Sequence, residues 1–209
     1  MKKTLISAVN LSFNNFITYP DFAIEKNQVT FIMGESGVGK STLLKLFNQT
    51  LTQSSGDIFY NDKNIRTMDS IDLRKEISLI GQGAFLFDSS IRENFKNFYN
   101  FRGEDVISDK DIKYYLELCC ITFDLEKDCT TMSGGERQRI YMAIYLSFNP
   151  NVIMLDEPTA ALDSKNSDDV IRNVISYCKK KEISVIIVSH DKELKEKFAE
   201  DVILLEMRE

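Results

Sequence analysis

Gly34 to Ser41 reads G-x-x-x-x-G-K-S, and Thr42 follows it. Glycines at positions 34, 37 and 39 leave backbone N–H groups free to close around phosphate oxygens, where larger side chains would block the approach. Lys40 can reach the terminal phosphates and the Ser41 hydroxyl can ligate Mg²⁺. A helix starting here aims its positive end at the same anion. The candidate contacts to a nucleotide are therefore Gly34, Glu35, Ser36, Gly37, Val38, Gly39, Lys40, Ser41 and Thr42.

A second feature is an acid pair. Val152 to Leu155 is an apolar run that ends in Asp156 and Glu157, with Pro158 closing it. Two ionised carboxylates at a strand end repel unless a cation or a proton is shared. A Mg²⁺–nucleotide supplies that cation. In this reading Asp156 holds the metal and Glu157 orients and polarises an attacking water.

A third feature has no place in a simple phosphate-loop ATPase. Ser133, Gly134 and Gly135, followed by Glu136, Arg137, Gln138 and Arg139, make a serine and two glycines at a helix start. That is a second anion site. One nucleotide does not need two such sites, whereas two chains arranged head to tail would use one from each.

These groups need a scaffold, and the apolar pattern supplies one. Val29–Met33 reads as a buried strand ending in glycine, and Leu43, Leu44, Leu46, Phe47 and Leu51 then recur at helical spacing. Residues 4–11 and 57–60 read as edge strands. Ile77–Ile80, Val152–Leu155, Ile183–Ser189 and Val202–Leu205 read as strands. Helices are expected near 109–120, from Gly134 on, near 166–181, and after His190. Strands alternating with helices imply an α/β fold with a largely parallel core sheet. Ligands in such sheets bind at the carboxyl ends of the strands. Gly34, Gln82, Asp156, Glu157 and His190 all fall at those ends.

Composition agrees with one ordinary globular unit. The chain has 209 residues, 43% hydrophobic and 28% charged, and a net charge of −6. The acidic balance argues against general nucleic-acid binding, which runs on phosphate neutralisation. The single histidine excludes histidine-cluster metal sites. No apolar run approaches membrane-spanning length, and the N-terminus lacks the long apolar core of a signal peptide. Cys119, Cys120, Cys129 and Cys178 form no C-x-x-C pair and read as reduced thiols of a cytosolic protein.

Taken in order along the chain, these motifs resemble the nucleotide-binding subunits of ATP-binding cassette (ABC) transporters, of the compact stand-alone bacterial type. The family signature is usually Leu-Ser-Gly-Gly-Gln, and here Met132 and Glu136 replace its first and last residues. The resemblance implies a P-loop NTPase (RecA-like) parallel core sheet, an N-terminal antiparallel β subdomain, and an inserted α-helical subdomain at roughly 84–145 of a single 1–209 domain. It implies ATP and Mg²⁺ as ligands. Gln82 matches the glutamine that touches Mg²⁺ and the attacking water, Asp163 the D-loop aspartate, and His190 the histidine that contacts the γ-phosphate. The expected catalytic set is Lys40, Gln82, Glu157 and His190, and the metal set is Ser41, Gln82 and Asp156. The family stacks adenine on an aromatic after the first strand. Phe13, Phe16 and Tyr19 all qualify by spacing, and Phe16 is the preferred one.

The same resemblance implies transmembrane permease subunits as partners and an ATP-bound homodimer, or a heterodimer with a related cassette. It places the chain in the cytoplasm, peripheral on the inner membrane face. Phe85 and Phe87, just after Gln82, are candidates for touching the membrane partner, and the wording of that segment is closer to exporter cassettes than to sugar or metal-chelate importers. Two other functions stay open on sequence: a soluble non-transport ATPase of the iron–sulfur assembly type, and a nucleotide-gated regulatory module.

Overall fold

The computed structural model describes residues 3–14, 16–160 and 164–206. In chain order the strands β1 (Thr4–Phe13), β2 (Ile17–Thr18), β3 (Phe22–Glu25) and β4 (Val29–Gly34) lead into helix α1 (Lys40–Phe47). Then come β5 (Ser55–Tyr60), β6 (Lys63–Asn64), α2 (Ser70–Glu76) and β7 (Ile77–Ile80). Helices α3 (Ile91–Arg102), α4 (Asp109–Leu118) and α5 (Gly134–Ser147) follow without an intervening strand. The chain continues through β8 (Val152–Asp156), α6 (Ser164–Lys180), β9 (Ser184–Val188), α7 (Lys192–Phe198) and β10 (Asp201–Leu205).

These elements divide into two compact units. The first takes the residues up to Leu79, Pro150–Glu157, and those from Glu182 on. It holds two sheets. One is antiparallel, in the order β2-β1-β5-β6 with β3 also paired to β1. The other runs β10-β4-β9-β8-β7, with β10, β4, β9 and β8 mutually parallel. Strands β8 and β9 are buried along their whole length, as their unbroken apolar runs require of central parallel strands. Strand β10 lies at the sheet edge and alternates, with Val202 and Leu204 facing out. Ile32, Leu43, Leu44, Phe47, Met154 and Ile186 join in one core cluster.

One sequence expectation is corrected here. Neither β1 nor β5 is an edge strand: β1 pairs with β2, β3 and β5, and β5 lies between β1 and β6. A strand with one face on the core and one in water alternates in the same way as an edge strand, so the pattern does not distinguish them.

The second unit comprises Ile80–Asn149 and Pro158–Lys181. Helix α3, which the sequence reading did not assign, starts at Ser90, whose hydroxyl accepts from Glu93 N–H. Arg92 ties its first turn to Asp109 and Glu126. Tyr115, Tyr177 and Asn149 hydrogen-bond to one another, and Tyr99 donates to Ser147. The four cysteines are free thiols, with Cys119, Cys129 and Cys178 buried and Cys120 half-buried. Burial pushes the Cys178 thiol up to about 12.

Candidate functional site

The phosphate loop connects β4 to α1. Gly34 sits at φ +153, and a Cβ there would lie 2.5 Å from the Leu205 carbonyl oxygen, so no larger residue fits. Gly39 is left-handed at φ +98 and caps α1 without a side chain. The amides at the head of α1 therefore meet no side-chain oxygen of their own cap, which leaves them for an external anion. Ile17 and the Tyr19 hydroxyl close the far side of Gly39, and Tyr19 donates to its carbonyl over 3.0 Å.

Lys40 is buried, and its Nζ donates to the carbonyls of Gly34 at 2.9 Å and Glu35 at 2.8 Å. Its ammonium is thus held inside the loop whose backbone it braces. Burial pulls the Lys40 pKa below the ordinary lysine value, and the carboxylates of Glu157 and Asp156 oppose that shift.

The acid pair meets this loop from the neighbouring strands. Asp156 ends β8 in register with Val188 of β9, which is itself in register with Ile32 of β4. Three parallel strands thus bring their carboxyl ends to one edge. Asp156 is 4% exposed and accepts from the Ser41 hydroxyl at 2.9 Å. Glu157 turns out of the strand at φ +49, a conformation uncommon for a side chain of its size. Its N–H still donates to Val188, and its Oε2 accepts from His190 N–H at 3.4 Å. His190 Nε2 lies 3.4 Å from Glu157 Oε1, yet Oε1 is buried without a hydrogen-bond donor. A buried carboxylate oxygen without a hydrogen bond, beside Asp156, suits contact with a water or a metal-bound nucleotide.

The donor set suits Mg²⁺. Ser41 and Asp156 offer hard oxygens, and among the described residues no group of three or more His, Cys, Asp or Glu could hold a metal alone. Few protein ligands completed by substrate phosphates is the usual mode of that ion.

The second unit carries the helix start expected to bind a second anion. Ser133 caps α5, its Oγ accepting from Glu136 N–H while Glu136 Oε2 accepts from Ser133 N–H at 2.8 Å. Ser133 and Gly134 are exposed and Gly135 half-exposed at the helix start. Gln82 lies on an exposed loop after β7. Asp163 lies outside the described residues.

The three adenine candidates separate cleanly. Phe13 packs against the core of the first unit. Tyr19 is 3% exposed, with its hydroxyl spent on Gly39, and burial drives its phenol pKa far up. Phe16 is 91% exposed and alone offers both ring faces. Of the aromatics after Gln82, Phe85 is exposed whereas Phe87 is half-buried, packed against Phe85, Phe98 and Phe101.

Sequence reasoning missed Arg137, Gln138 and Asn94. Gln138 is buried on α5 and donates to Gly81 O, and Asn94 is fully buried and bonds both backbone groups of Phe87. The available signal was a polar residue four positions before the buried Met142 on the same helix face.

Comparison with known proteins fits this geometry. A family model described as "ABC transporter" matches residues 18–160. The chain is 33% identical over 193 residues to a phosphonates import ATP-binding protein of Wolinella succinogenes, covering 86% of this chain and 70% of that one. It is 30% identical over 173 residues to a probable iron export ATP-binding protein of Escherichia coli, covering 83% and 77%. A solved cassette from Clostridium perfringens, part of an ABC transporter complex, superposes with a TM-score of 0.84 at 26% identity, over 98% of this chain and 85% of that one.

Proposed function

The chain belongs to the ABC transporter family, and we propose that it is the ATP-binding and ATP-hydrolysing subunit of a transporter whose membrane-spanning part is separate. The observation that carries this reading is the convergence of Lys40, Ser41, Asp156, Glu157 and His190 at the carboxyl ends of adjacent parallel strands. Among the described residues no helix is long and apolar enough to cross a membrane.

The backbone of 34–42 and the Lys40 ammonium bind the phosphates. Ser41 and Asp156 would hold Mg²⁺, which would supply charge neutralisation on the phosphate oxygens. The Glu157 carboxylate polarises the attacking water, and the His190 ring beside it contacts the γ-phosphate. Gln82 orients that water as the family resemblance implies. Phosphoryl transfer leaves the protein little covalent work, so positioning and electrostatics account for the rate.

Phe16 stacks on adenine. Ser133, Gly134 and Gly135 bind the γ-phosphate held by a second copy or a related cassette. Two such chains then close head to tail around two ATP molecules and reopen after hydrolysis. The chain works at the cytoplasmic face of the membrane. Phe85, more exposed than Phe87, is the better contact for the permease. The curated relatives include an importer and a probable exporter, so direction and cargo follow from the membrane partner.

The deciding experiment is steady-state phosphate release by the purified chain with ATP and Mg²⁺, with and without its permease in vesicles. ATP-dependent release that Lys40→Ala abolishes supports the reading. No release in either setting overturns it.

A further inference from the structure

Arg137 and Gln138 follow the exposed helix start at Ser133–Gly135, yet their side chains turn back onto the loop that carries Gln82. Gln138 is 3% exposed, and its Nε2 donates to the Gly81 carbonyl at 3.2 Å. Arg137 donates through Nη2 to the Leu86 carbonyl at 3.2 Å, and through Nη1 to Cys129 O at 2.7 Å. One residue later, Asn94 accepts from Phe87 N–H at 2.8 Å and donates to Phe87 O at 3.1 Å. The loop is therefore gripped just before Gln82 and just after Phe85, by neighbouring residues of α5 and by α3.

Between the grips the backbone lacks such anchors. Gln82, Gly83 and Phe85 are exposed, and no strand or helix includes them. Among the described residues, no backbone hydrogen bond outside the regular elements involves 82–85. A Cβ at Gly81 or Gly83 would meet nothing within 4 Å. Left to itself, such a segment samples many conformations, and the two side chains from α5 remove most of that freedom.

We propose that Arg137 and Gln138 are positioning residues for Gln82, tying the loop that serves one ATP to the helix start that serves the other. This rests on the roles given above to Gln82 and to Ser133–Gly135. Seating a phosphate on the head of α5 then restrains the Gln82 loop through hydrogen bonds from residues two and three positions downstream of that head. The coupling is short and lies wholly within one compact unit. It has two discrete anchors rather than a diffuse path, so it can be cut at either one.

The test uses the full chain and hydrogen exchange read by mass spectrometry, on the wild type, Gln138→Leu, Arg137→Met and Arg137→Lys. The Phe87 N–H, in the same peptide unit as the Leu86 carbonyl that Arg137 holds, and the Ser89 N–H are hydrogen-bonded, so losing one buried hydrogen bond of ordinary strength should speed exchange at these amides by about tenfold in Arg137→Met, and by less in Gln138→Leu. Peptides from α5 and from 34–42 should keep wild-type rates, and Arg137→Lys should recover part of the protection. In parallel, kcat should fall several-fold or more, because slight misplacement of a positioning group costs rate, while the KM for ATP stays unchanged. Gln82→Ala with Gln138→Leu should turn over no more slowly than Gln82→Ala alone. Unchanged exchange at the Phe87 and Ser89 amides in both variants overturns the proposal. Equal acceleration throughout α5 also overturns it, since that marks a role in helix stability only. A wild type without ATPase activity would instead sink the reading of Gln82, and the exchange arm would still decide whether α5 holds the loop.

Discussion

The Ser41 hydroxyl donates a 2.9 Å hydrogen bond to Asp156 across 115 residues of sequence. This contact joins the first turn of α1 to the end of β8 and aligns two hard oxygen ligands beside the phosphate loop. The adjacent Glu157 Oε1 is buried without a donor. Together they make one edge of the parallel sheet a place where charge is concentrated and incompletely satisfied, as a metal–nucleotide site requires.

Glu157→Gln should keep ATP binding and slow turnover by roughly 10²–10⁴-fold, the usual worth of a positioned general base. Fluorescent-nucleotide titration and single-turnover phosphate release, with the permease present, separate the two effects. Turnover near the wild-type rate would remove Glu157 from the chemistry.

Ser133→Arg should bind ATP as a monomer and fail to dimerise. The exposed serine at the head of α5 has room for the larger side chain in the isolated chain, so folding should survive, but the phosphate of a second copy would meet an obstacle. Sedimentation with ATP in the Glu157→Gln background provides the readout. Undiminished dimers would contradict the head-to-tail arrangement.

Phe16→Ala should weaken ATP binding by roughly fivefold or more, since stacking of a base on an aromatic ring is worth about 1–3 kcal/mol. Tyr19→Phe should lose about 1 kcal/mol of stability with its bond to Gly39. It should change nucleotide affinity far less. Isothermal titration and thermal melts on both variants distinguish the roles. The reverse ranking would transfer the adenine contact to Tyr19.

The cap of α5 should be pH-sensitive. The Ser133 N–H holds the Glu136 carboxyl below its ordinary value of 4.5. A depressed folded-state pKa means the carboxylate stabilises the fold above the unfolded value, and that stabilisation is lost as pH falls through the folded value. Glu136→Ala should therefore melt below the wild type at pH 7, and the gap should close once the pH drops under that folded value. A gap that stays constant with pH would assign the cap's contribution to something other than the carboxylate.

Much of the site was legible in the chain itself because its chemistry is local. The 34–42 loop, the Asp156–Glu157 pair and the Ser133–Gly135 turn each compress a function into a few adjacent residues, and apolar runs mark the strands that end at them. Helix α3 was not legible. Its buried Ile91, Asn94, Phe95 and Tyr99 include a polar residue, and the exposed Phe101 blurs the apolar face. The central place of β1 was hidden for a related reason, since alternation reports how many faces are buried and not how many neighbours a strand has.

What the sequence by itself determined is the kind of protein: a nucleotide-binding α/β chain with a phosphate loop and a second candidate anion site, since residue type and short-range spacing suffice for phosphate chemistry. Only the tertiary structure decided that Phe16, and not Phe13 or Tyr19, presents a free ring, that Ser41 meets Asp156, and that Arg137 and Gln138 grip the Gln82 loop. Those facts depend on which surfaces are buried and which distant segments touch, and spacing along a chain carries neither.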